Sequence, residues 1–175
     1  MAWQLRRATE ADLDDVMAIE TPVFGSDAWP RGAMASELKS PHTYYLVAHR
    51  VESPTVIEGY AGLLAPSGSG QGDIQTIAVA ESARRTGLGR MLMMTLMSEA
   101  RDRGATEIFL EVRADNPGAR GLYETLGFAQ IAVRPRYYQP DGVDAIIMSC
   151  AVEQLGVTPT IGTKPQPPRG QVVSS

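Results

Sequence analysis

A strand, a basic turn containing glycine, and a helix follow one another between residues 74 and 99, and this succession constrains the fold more than any other feature. Residues 74–79 alternate and are mostly apolar, which predicts a strand, and from Leu88 onward apolar side chains recur at helical spacing. The turn between them reads Arg84-Arg85-Thr86-Gly87-Leu88-Gly89-Arg90. The first N–H groups of a helix have no intrahelical partner, and the helix dipole leaves partial positive charge there. The sequence therefore predicts an anion site at this turn.

The residue types of the turn favour a phosphate or pyrophosphate as the anion. Its two glycines allow a ligand to approach the backbone closely, and its three arginines can add charge-assisted hydrogen bonds. A dinucleotide fingerprint would need glycine where Leu92 stands, and the Gly-Lys-Ser/Thr of a P-loop is absent from the sequence. Taken alone, the turn is equally compatible with an ordinary loop whose arginines are solvated.

Length and composition predict one soluble domain. A chain of 175 residues with 43% hydrophobic residues can bury one core, and a net charge of -4 argues against a general nucleic-acid binder. A single cysteine, Cys150, excludes an internal disulfide framework, and two histidines are too few for a zinc site of the usual spacing. The sequence contains neither a signal peptide nor an apolar run of about 20 residues. We therefore expect a cytoplasmic protein that has no metal site and binds neither nucleic acid nor membrane.

Hydrophobic periodicity and turn residues predict the order of the elements. Residues 3–7 form a strand, and Thr9 with Asp12 caps a helix whose pattern breaks after residue 20. A helix at 31–39, a hairpin of 43–51 and 56–65, and a strand at 73–79 come next. The turn then opens a helix over about 87–103, followed by a strand at 106–113 and a helix that Asn116 caps. The last strands are 128–133 and 143–150, joined by a loop, and 153–175 is predicted to be a disordered tail because it is rich in Pro, Gly, Thr and Ser.

This order, with its Arg-x-x-Gly-x-Gly turn after the central strand, resembles the GCN5-related N-acetyltransferase (GNAT) family and its RimI-type branch, which acetylates the N-terminal α-amino group of a ribosomal protein in bacteria. The resemblance covers roughly residues 3–150 and rests on five blocks in the same order. The blocks are Ile77-Ala78-Val79, residues 84–90, Leu110-Glu111-Val112-Arg113-Ala114-Asp115-Asn116, Leu122-Tyr123-Glu124-Thr125-Leu126-Gly127-Phe128, and Tyr137-Tyr138 followed by Asp144-Ala145-Ile146-Ile147-Met148.

The resemblance implies an α/β (α+β) fold with one GNAT domain, residues 1–152, in which about four helices flank a mixed, mostly antiparallel sheet of about seven strands. It also implies that acetyl-coenzyme A (acetyl-CoA) binds where the central strand and the next one splay apart. The backbone of the central strand would lie beside the pantetheine arm, and the turn would hold the pyrophosphate. The implied cofactor-binding residues are Ile77, Ala78, Val79, Arg84, Arg85, Thr86, Gly87, Leu88, Gly89, Arg90 and Asn116. For Asn116, a role as helix N-cap is physically sufficient by itself.

The RimI-type resemblance also implies the chemistry of the site. Glu111 is the expected base that takes the proton of the acceptor amine, directly or through a water, and Tyr123 is the expected acid for the leaving thiolate. Without the resemblance, Glu111 would be interpreted as a solvent-facing residue of an edge strand, and Tyr123 as an aromatic packed on the sheet. A backbone N–H near Val79 is expected to meet the carbonyl oxygen.

Tyr137 and Tyr138 are the expected residues that bind the acceptor peptide, on a loop that faces it in RimI-like enzymes; their alternative is hairpin packing. The loop between the first helices reads Asp27-Ala28-Trp29-Pro30, whereas RimI-like chains tend to have proline before tryptophan, so the acceptor is less well defined than the donor. Three alternatives stay open at this point: acetylation of protein lysines, acetylation of a small amine such as a polyamine or aminoglycoside, and a non-catalytic acetyl-CoA sensor. We expect a monomer.

Overall fold

The computed structural model describes residues 2–152, so the tail expected at 153–175 lies outside the described residues. The helices of this part of the chain are α1 (Leu13–Phe24), α2 (Arg31–Lys39), α3 (Leu88–Asp102) and α4 (Pro117–Thr125). The strands are β1 (Trp3–Arg7), β2 (Thr43–Arg50), β3 (Ser53–Leu64), β4 (Gln71–Val79), β5 (Glu107–Arg113), β6 (Ala129–Tyr138) and β7 (Val143–Ala151). Short 3-10 turns at Glu10–Asp12, Gly25–Asp27 and Glu81–Ala83 complete the order.

All of these strands belong to one mixed sheet in the order β1-β2-β3-β4-β5-β7-β6. Neighbouring strands are antiparallel except β4 and β5, which run parallel. The predicted fold class, a single mixed and mostly antiparallel sheet flanked by helices, is therefore confirmed.

The helices cover both faces of the sheet and bury a core on each. On one face, α3 and α4 pack over a large cluster that includes Leu92, Leu96 and Tyr123. On the other, α1 and α2 pack over a smaller cluster that includes Val16 and Met34. The apolar residues at alternate positions of β5, Ile108, Leu110 and Val112, all lie in the α3 and α4 core. Because side chains alternate along a strand, Glu111 points to the face that α1 and α2 cover.

The contact between β4 and β5 is short. The register pairs residues 71–73 of β4 with residues 107–109 of β5 and then stops. Beyond that point β4 continues along β3, while β5 continues along β7. A bulge at Gln75, which stands between the residues that face Leu63 and Gly62, bends β4 further from β5. The sheet is thus open at the C-terminal ends of its two parallel strands, the edge at which open α/β sheets bind ligands.

The two largest differences from the predicted element boundaries are at the ends of α1 and β6. Helix α1 continues past residue 20 to Phe24 with Pro22 inside it, and Phe24 is buried in the core beneath α1. Strand β6 extends to Tyr138, so the predicted loop over residues 134–142 shrinks to 139–142. The register of β6 shifts between Arg134 and Tyr138, and Arg136 has a φ of 53°. Such an irregularity is invisible to periodicity, which explains the error.

Gly62 on β3, over which the ring of Tyr45 packs, gives a test of the packing. A Cβ on Gly62 would lie 2.2 Å from the ring of Tyr45, whose hydroxyl donates to Gln75 Oε1 at 2.8 Å. Because this ring is buried and cannot move freely, we expect Gly62→Ala to lower the free energy of unfolding by about 2 to 3 kcal/mol in urea denaturation. The matched control is Gly32→Ala in α2, where a Cβ meets nothing within 4 Å and should stabilise by about 0.5 to 1 kcal/mol. Equal denaturation midpoints for the two variants would contradict this packing.

Candidate active site

The turn that precedes α3 has the backbone geometry of an anion site. Arg85 and Gly87 both have left-handed φ angles, 60° and 82°, and Gly87 is the N-cap residue of α3. Left-handed residues in a turn direct successive N–H groups toward a shared concavity, and the first N–H groups of α3 add donors that have no intrahelical acceptor. This backbone geometry is compatible with several donors converging on an anion, and the anion site itself stays a prediction.

The side chains of the turn contribute unequally. Arg84 and Arg85 are exposed, and within residues 2–152 no acidic side chain forms an ion pair with either of them. Arg90 instead donates from Nη1 to Thr125 Oγ1 at 3.0 Å, which directs it toward α4. Thr86 closes the turn by donating from Oγ1 to the carbonyl oxygen of Ala83 at 2.6 Å. Two guanidinium groups thus remain available to an anion at the turn.

A buried ion pair fastens this turn to the sheet. Glu58 on β3 is buried; it accepts hydrogen bonds from Arg50 Nε at 2.8 Å and from Ser82 Oγ at 2.9 Å. Arg50 also donates to the carbonyl oxygen of Ser82 at 3.2 Å and stacks over the ring of Trp3. Because charge-assisted hydrogen bonds of a shielded pair are strong, the 3-10 turn before the arginines is held in place.

A groove of about 400 Å³ runs from the end of β4 past the turn to α4. Its walls are formed by Val79, Ala83, Arg84, Arg85, Gly87, Leu88, Gly89, Arg90, Gly118 and Leu122. One end is basic and the other is apolar, and it opens beside the gap between β4 and β5. The groove suits an elongated ligand with a phosphate group at one end and an apolar arm at the other. A larger groove of about 510 Å³ follows α3 past Met94 to Val152 and touches neither β4 nor Gly87.

Glu111 lies on β5 beyond the last residue that pairs with β4, and its side chain is completely buried. Neither carboxylate oxygen accepts a well-formed hydrogen bond from a described residue. Arg134 Nη1 lies 3.5 Å from Glu111 Oε1. Burial raises the pKa of Glu111 to about 7, against the opposing effects of Arg134 and the Tyr137 hydroxyl. Glu111 is therefore a carboxyl group that can gain or lose a proton near neutral pH. Its burial contradicts the interpretation of Glu111 as a solvent-facing residue.

Asp73 is a second buried carboxyl on this side of the sheet. It closes the β4 pairing with β5, and burial raises its pKa to about 6 although Gln71 donates to it. Its charge contributes to the raised pKa of Glu111. Nothing in the sequence analysis identified Asp73, because its effect on Glu111 depends on a pairing between residues that are 36 positions apart in the sequence.

The two tyrosines expected to bind the acceptor differ in exposure. Tyr137 is partly exposed and its hydroxyl acts on Glu111, whereas Tyr138 is 1% exposed. The Tyr138 hydroxyl is buried and forms no hydrogen bond with residues 2–152, and its pKa is raised by burial and by the charge of Glu111. Both residues end strand β6 rather than occupying the expected loop. The structure thus brings Glu111 and both tyrosines together on one side of the gap.

Tyr123 and Asn116 lie on α4 and at its start. Tyr123 is completely buried in the α3 and α4 core, which also contains Val79, and its ring packs edge-on against Phe128 at 6.2 Å. Asn116 Oδ1 accepts from the Ala119 N–H at 3.2 Å, so the predicted N-cap role is confirmed. The contacts expected of these two residues with a ligand stay predictions.

Glu20 is a functional candidate that the sequence analysis missed. It is completely buried on α1, where its Oε1 accepts from the Trp29 N–H at 2.8 Å, and burial raises its pKa to about 7. Its Oε2 has no hydrogen-bond partner among the described residues. Its position in the sequence could have identified it, because Glu20 continues the apolar face of α1 after Val16. A carboxyl group on such a face points inward, here to hold the connection between α1 and α2.

The remaining polar candidates carry no site. Cys150 is half-buried and burial raises the pKa of its thiol, as an inert cysteine requires. Within residues 2–152, no group of three histidine, cysteine, aspartate or glutamate side chains could hold a metal ion. No helix in the same part of the chain is both long enough and apolar enough to span a membrane.

Known proteins resemble this chain in both sequence and fold. The acetyltransferase (GNAT) family model matches residues 13–128. The N-alpha-acetyltransferase RimI of Mycobacterium tuberculosis is 36% identical over 143 residues, which cover 80% of this chain and 87% of the relative. An uncharacterised protein of Mycobacterium leprae is 37% identical over 143 residues, and there the match spans only 38% of the relative's length.

The fold matches that of a solved acetyltransferase. The crystal structure of the ribosomal-protein-S18-alanine N-acetyltransferase from Escherichia coli superposes with a TM-score of 0.75 at 27% identity, covering 90% of this chain and 99% of that one. The family match and the open sheet of seven strands in the described residues agree with one another. The chain belongs to the GNAT family of acetyltransferases, with RimI-type proteins among its relatives.

Proposed function

We propose that this protein transfers the acetyl group of acetyl-CoA to the N-terminal α-amino group of a protein, with a ribosomal protein as the substrate. The observation that carries the proposal is Glu111: a buried carboxyl with a pKa of about 7 at the gap between β4 and β5. The relatives named for ribosomal-protein alanine acetylation and for RimI support this acceptor. A ribosomal substrate would place the reaction in the cytoplasm.

Acetyl-CoA fits the groove beside the gap, and when bound it supplies the thioester carbonyl that the acceptor amine attacks. Arg84, Arg85 and the N–H groups at residues 86–90 would hold its pyrophosphate. The edge of β4 at residues 77–79 would lie along its pantetheine arm, with Gly118 and Leu122 of α4 on the other side. Asn116 is expected beside the same ligand, in addition to its role as N-cap.

Glu111 would make the acceptor amine nucleophilic. An α-ammonium group has a pKa near 8 and a lysine near 10.4, so deprotonation at pH 7 costs about 1.4 kcal/mol for the first and about 4.6 kcal/mol for the second. A carboxylate whose pKa is about 7 can take the proton of an α-ammonium group without a large free-energy step. The match between these two pKa values favours an α-amine over a lysine as acceptor.

Two further groups would complete the chemistry. A backbone N–H near Val79, at the end of β4, would donate to the carbonyl oxygen as negative charge develops on it. The Tyr123 hydroxyl would donate its proton to the leaving sulfur, which avoids release of a bare thiolate into a buried site. Tyr137 and Tyr138 would contact the acceptor beside Glu111. The chain's own residues thus provide an acid, a base and an oxyanion donor.

Gly87 tests where the phosphates bind. Its Cβ would enter open space, with no protein atom within 4 Å, so the methyl group of Gly87→Ala would meet only the expected ligand, while the φ of 82° also strains the substituted residue. We expect roughly a tenfold or greater loss of acetyl-CoA affinity in calorimetric titration, because the backbone can no longer approach the phosphates. The matched control is Gly104→Ala at the other end of α3, which has a similar φ of 89° and equally open space. Equal affinity in both variants would place the phosphates elsewhere.

Glu111→Gln tests the base through the pH dependence of acetylation. In the wild type we expect kcat/KM for a peptide with a ribosomal N-terminus to rise with pH through about 7 as Glu111 loses its proton. The variant should lose roughly 100-fold or more in kcat and keep only the pH dependence of the substrate amine, while acetyl-CoA affinity persists. An unchanged pH profile and rate in Glu111→Gln would remove Glu111 from the mechanism.

Stability provides a check that this variant is folded. The pKa of Glu111 rises from 4.5 to about 7 on folding, so between these values the unfolded chain releases a proton that the folded chain retains. This group therefore lowers stability as pH rises from 4.5 to 7, and its contribution is constant above that range. In urea denaturation at pH 8, we expect Glu111→Gln to be more stable than the wild type. At pH 4, this gain in the free energy of unfolding should be smaller.

Tyr123→Phe tests the acid separately. Because the phenol acts only on the leaving group, we expect a loss of roughly 10- to 100-fold in kcat with little change in peptide KM. The ring is retained, so its edge-on packing against Phe128 should persist and the free energy of unfolding should change little. Wild-type turnover in this variant would assign Tyr123 to packing alone.

A further inference from the structure

Arg113, at the end of β5, binds three carboxylates that come from three different connections of the chain. Its Nη1 donates to Asp27 Oδ2 at 2.5 Å, its Nε donates to Asp115 Oδ1 at 3.0 Å, and its Nη2 donates to Asp141 Oδ2 at 3.1 Å. The guanidinium also lies 5.0 Å from the ring centre of Tyr138. A guanidinium presents its donors in a fixed planar fork, so one residue can hold these partners in a defined arrangement.

The three partners belong to the connections that surround the side of the gap where Glu111 lies. Asp27 is in the connection between α1 and α2, Asp115 between β5 and α4, and Asp141 between β6 and β7. Arg113 itself follows Glu111 by two residues, so both side chains leave β5 on the same face. The Tyr138 ring beneath the guanidinium belongs to the group that includes Glu111 and Tyr137.

The contact with Asp27 is the one most shielded from water. The Asp27 and Arg113 side chains are 8% and 14% exposed, whereas those of Asp115 and Asp141 are 54% and 58% exposed. Exposed ion pairs contribute little, and loss of one partner of a shielded pair leaves an uncompensated charge. Two residues beyond Asp27, the Trp29 N–H is bound by the buried Glu20. The α1 to α2 connection is therefore held at two points, by Glu20 of α1 and by Arg113 of β5.

We propose that Arg113 is a positioning residue for the acceptor peptide: it fixes the α1 to α2 and β6 to β7 connections at the spacing that an extended peptide needs to reach Glu111. This rests on the proposed peptide acetylation. Arg113 touches neither the reacting amine nor the acetyl donor. Its effect is on where the residues that follow the acceptor amine bind, so it acts on longer peptides more than on a single amino acid.

The test is steady-state kinetics of Arg113→Met and Asp27→Asn with two acceptors, alanine amide and a hexapeptide that begins with alanine. For the hexapeptide, we expect Arg113→Met to raise KM roughly tenfold or more with kcat within about threefold of the wild type. The KM for alanine amide and the Kd for acetyl-CoA should stay within about twofold, since neither ligand is expected to reach the α1 to α2 or the β6 to β7 connection. Arg113→Lys keeps the charge but loses the planar fork, so its KM for the hexapeptide should lie between those of the wild type and Arg113→Met.

A double-mutant cycle separates positioning from a general loss of structure. Arg113→Met combined with Asp27→Asn should raise the hexapeptide KM less than the product of the single effects, because the second change removes the uncompensated carboxylate. Asp141→Asn should have a much smaller effect than Asp27→Asn, since its side chain is 58% exposed. The matched control is Arg120→Met on α4, where an arginine pairs with the exposed Glu124 outside the site, and it should change no KM.

Three results would overturn the proposal. The first is an equal rise of KM for alanine amide and for the hexapeptide, and the second is a parallel loss of acetyl-CoA affinity. The third is an unchanged hexapeptide KM in both Arg113→Met and Asp27→Asn. If Arg113→Met does not fold, the proposal is tested by Asp27→Asn and Asp141→Asn alone. It is then overturned unless Asp27→Asn raises the hexapeptide KM more than Asp141→Asn does. A wild-type protein that acetylates neither acceptor would instead refute the proposed function.

Discussion

The parallel contact between β4 and β5 ends after three residue pairs, and the rest of the site depends on that divergence. Two adjacent strands normally satisfy each other's backbone groups, so a gap inside a sheet must be filled by something else. The bulge at Gln75 helps to keep β4 apart from β5, and Tyr45 holds Gln75 through its hydroxyl. The gap lets a ligand pass between the two faces of one sheet, which allows a donor and an acceptor to approach the same point from opposite sides.

The charged groups on the two sides of the gap are opposite in sign: arginines lie at the turn before α3, and carboxyl groups lie on the α1 and α2 face. At the α3 end, the left-handed turn and two exposed arginines favour a polyanion. On the α1 and α2 face, burial raises the pKa values of Glu20, Asp73 and Glu111 into the range of about 6 to 7. A buried carboxyl without a well-formed hydrogen bond destabilises the fold when it is charged, and a catalytic base requires that kind of environment. Under the proposed mechanism, stability and catalysis therefore make opposing demands at Glu111.

Local features of the fold were predictable from sequence because local physics determines them. Asn116 caps α4 and Gly104 ends α3 in a left-handed conformation, each as its residue type requires. The turn at residues 84–90 was also predictable, since helix polarity and glycine determine its geometry. The family resemblance correctly indicated where the strands diverge. For the two helix ends and the turn, the residues that determine the structure lie within a few positions of one another in the sequence.

Contacts between distant segments could not be predicted. Arg113 and Asp27 are 86 residues apart, and no periodicity in either segment indicates that they meet. The raised pKa of Asp73 follows from burial in the assembled sheet, and Tyr138 is buried because β6 is irregular where a loop was expected. Glu20 was detectable only as a charged residue on an apolar helix face. The donor side is thus largely local in sequence, while the acceptor side is built from long-range contacts.

The central claim is that the gap between β4 and β5, with the turn before α3, is the acetyl-CoA site. The most direct test is a titration of the isotope-labelled protein with acetyl-CoA, followed by backbone amide NMR shifts. We expect the largest shifts at residues 77–79 and 84–90, with smaller shifts at Gly118 and Leu122 across the groove. Shifts centred on Met94, Ser98 and Val152, which line the larger groove along α3, would contradict the account.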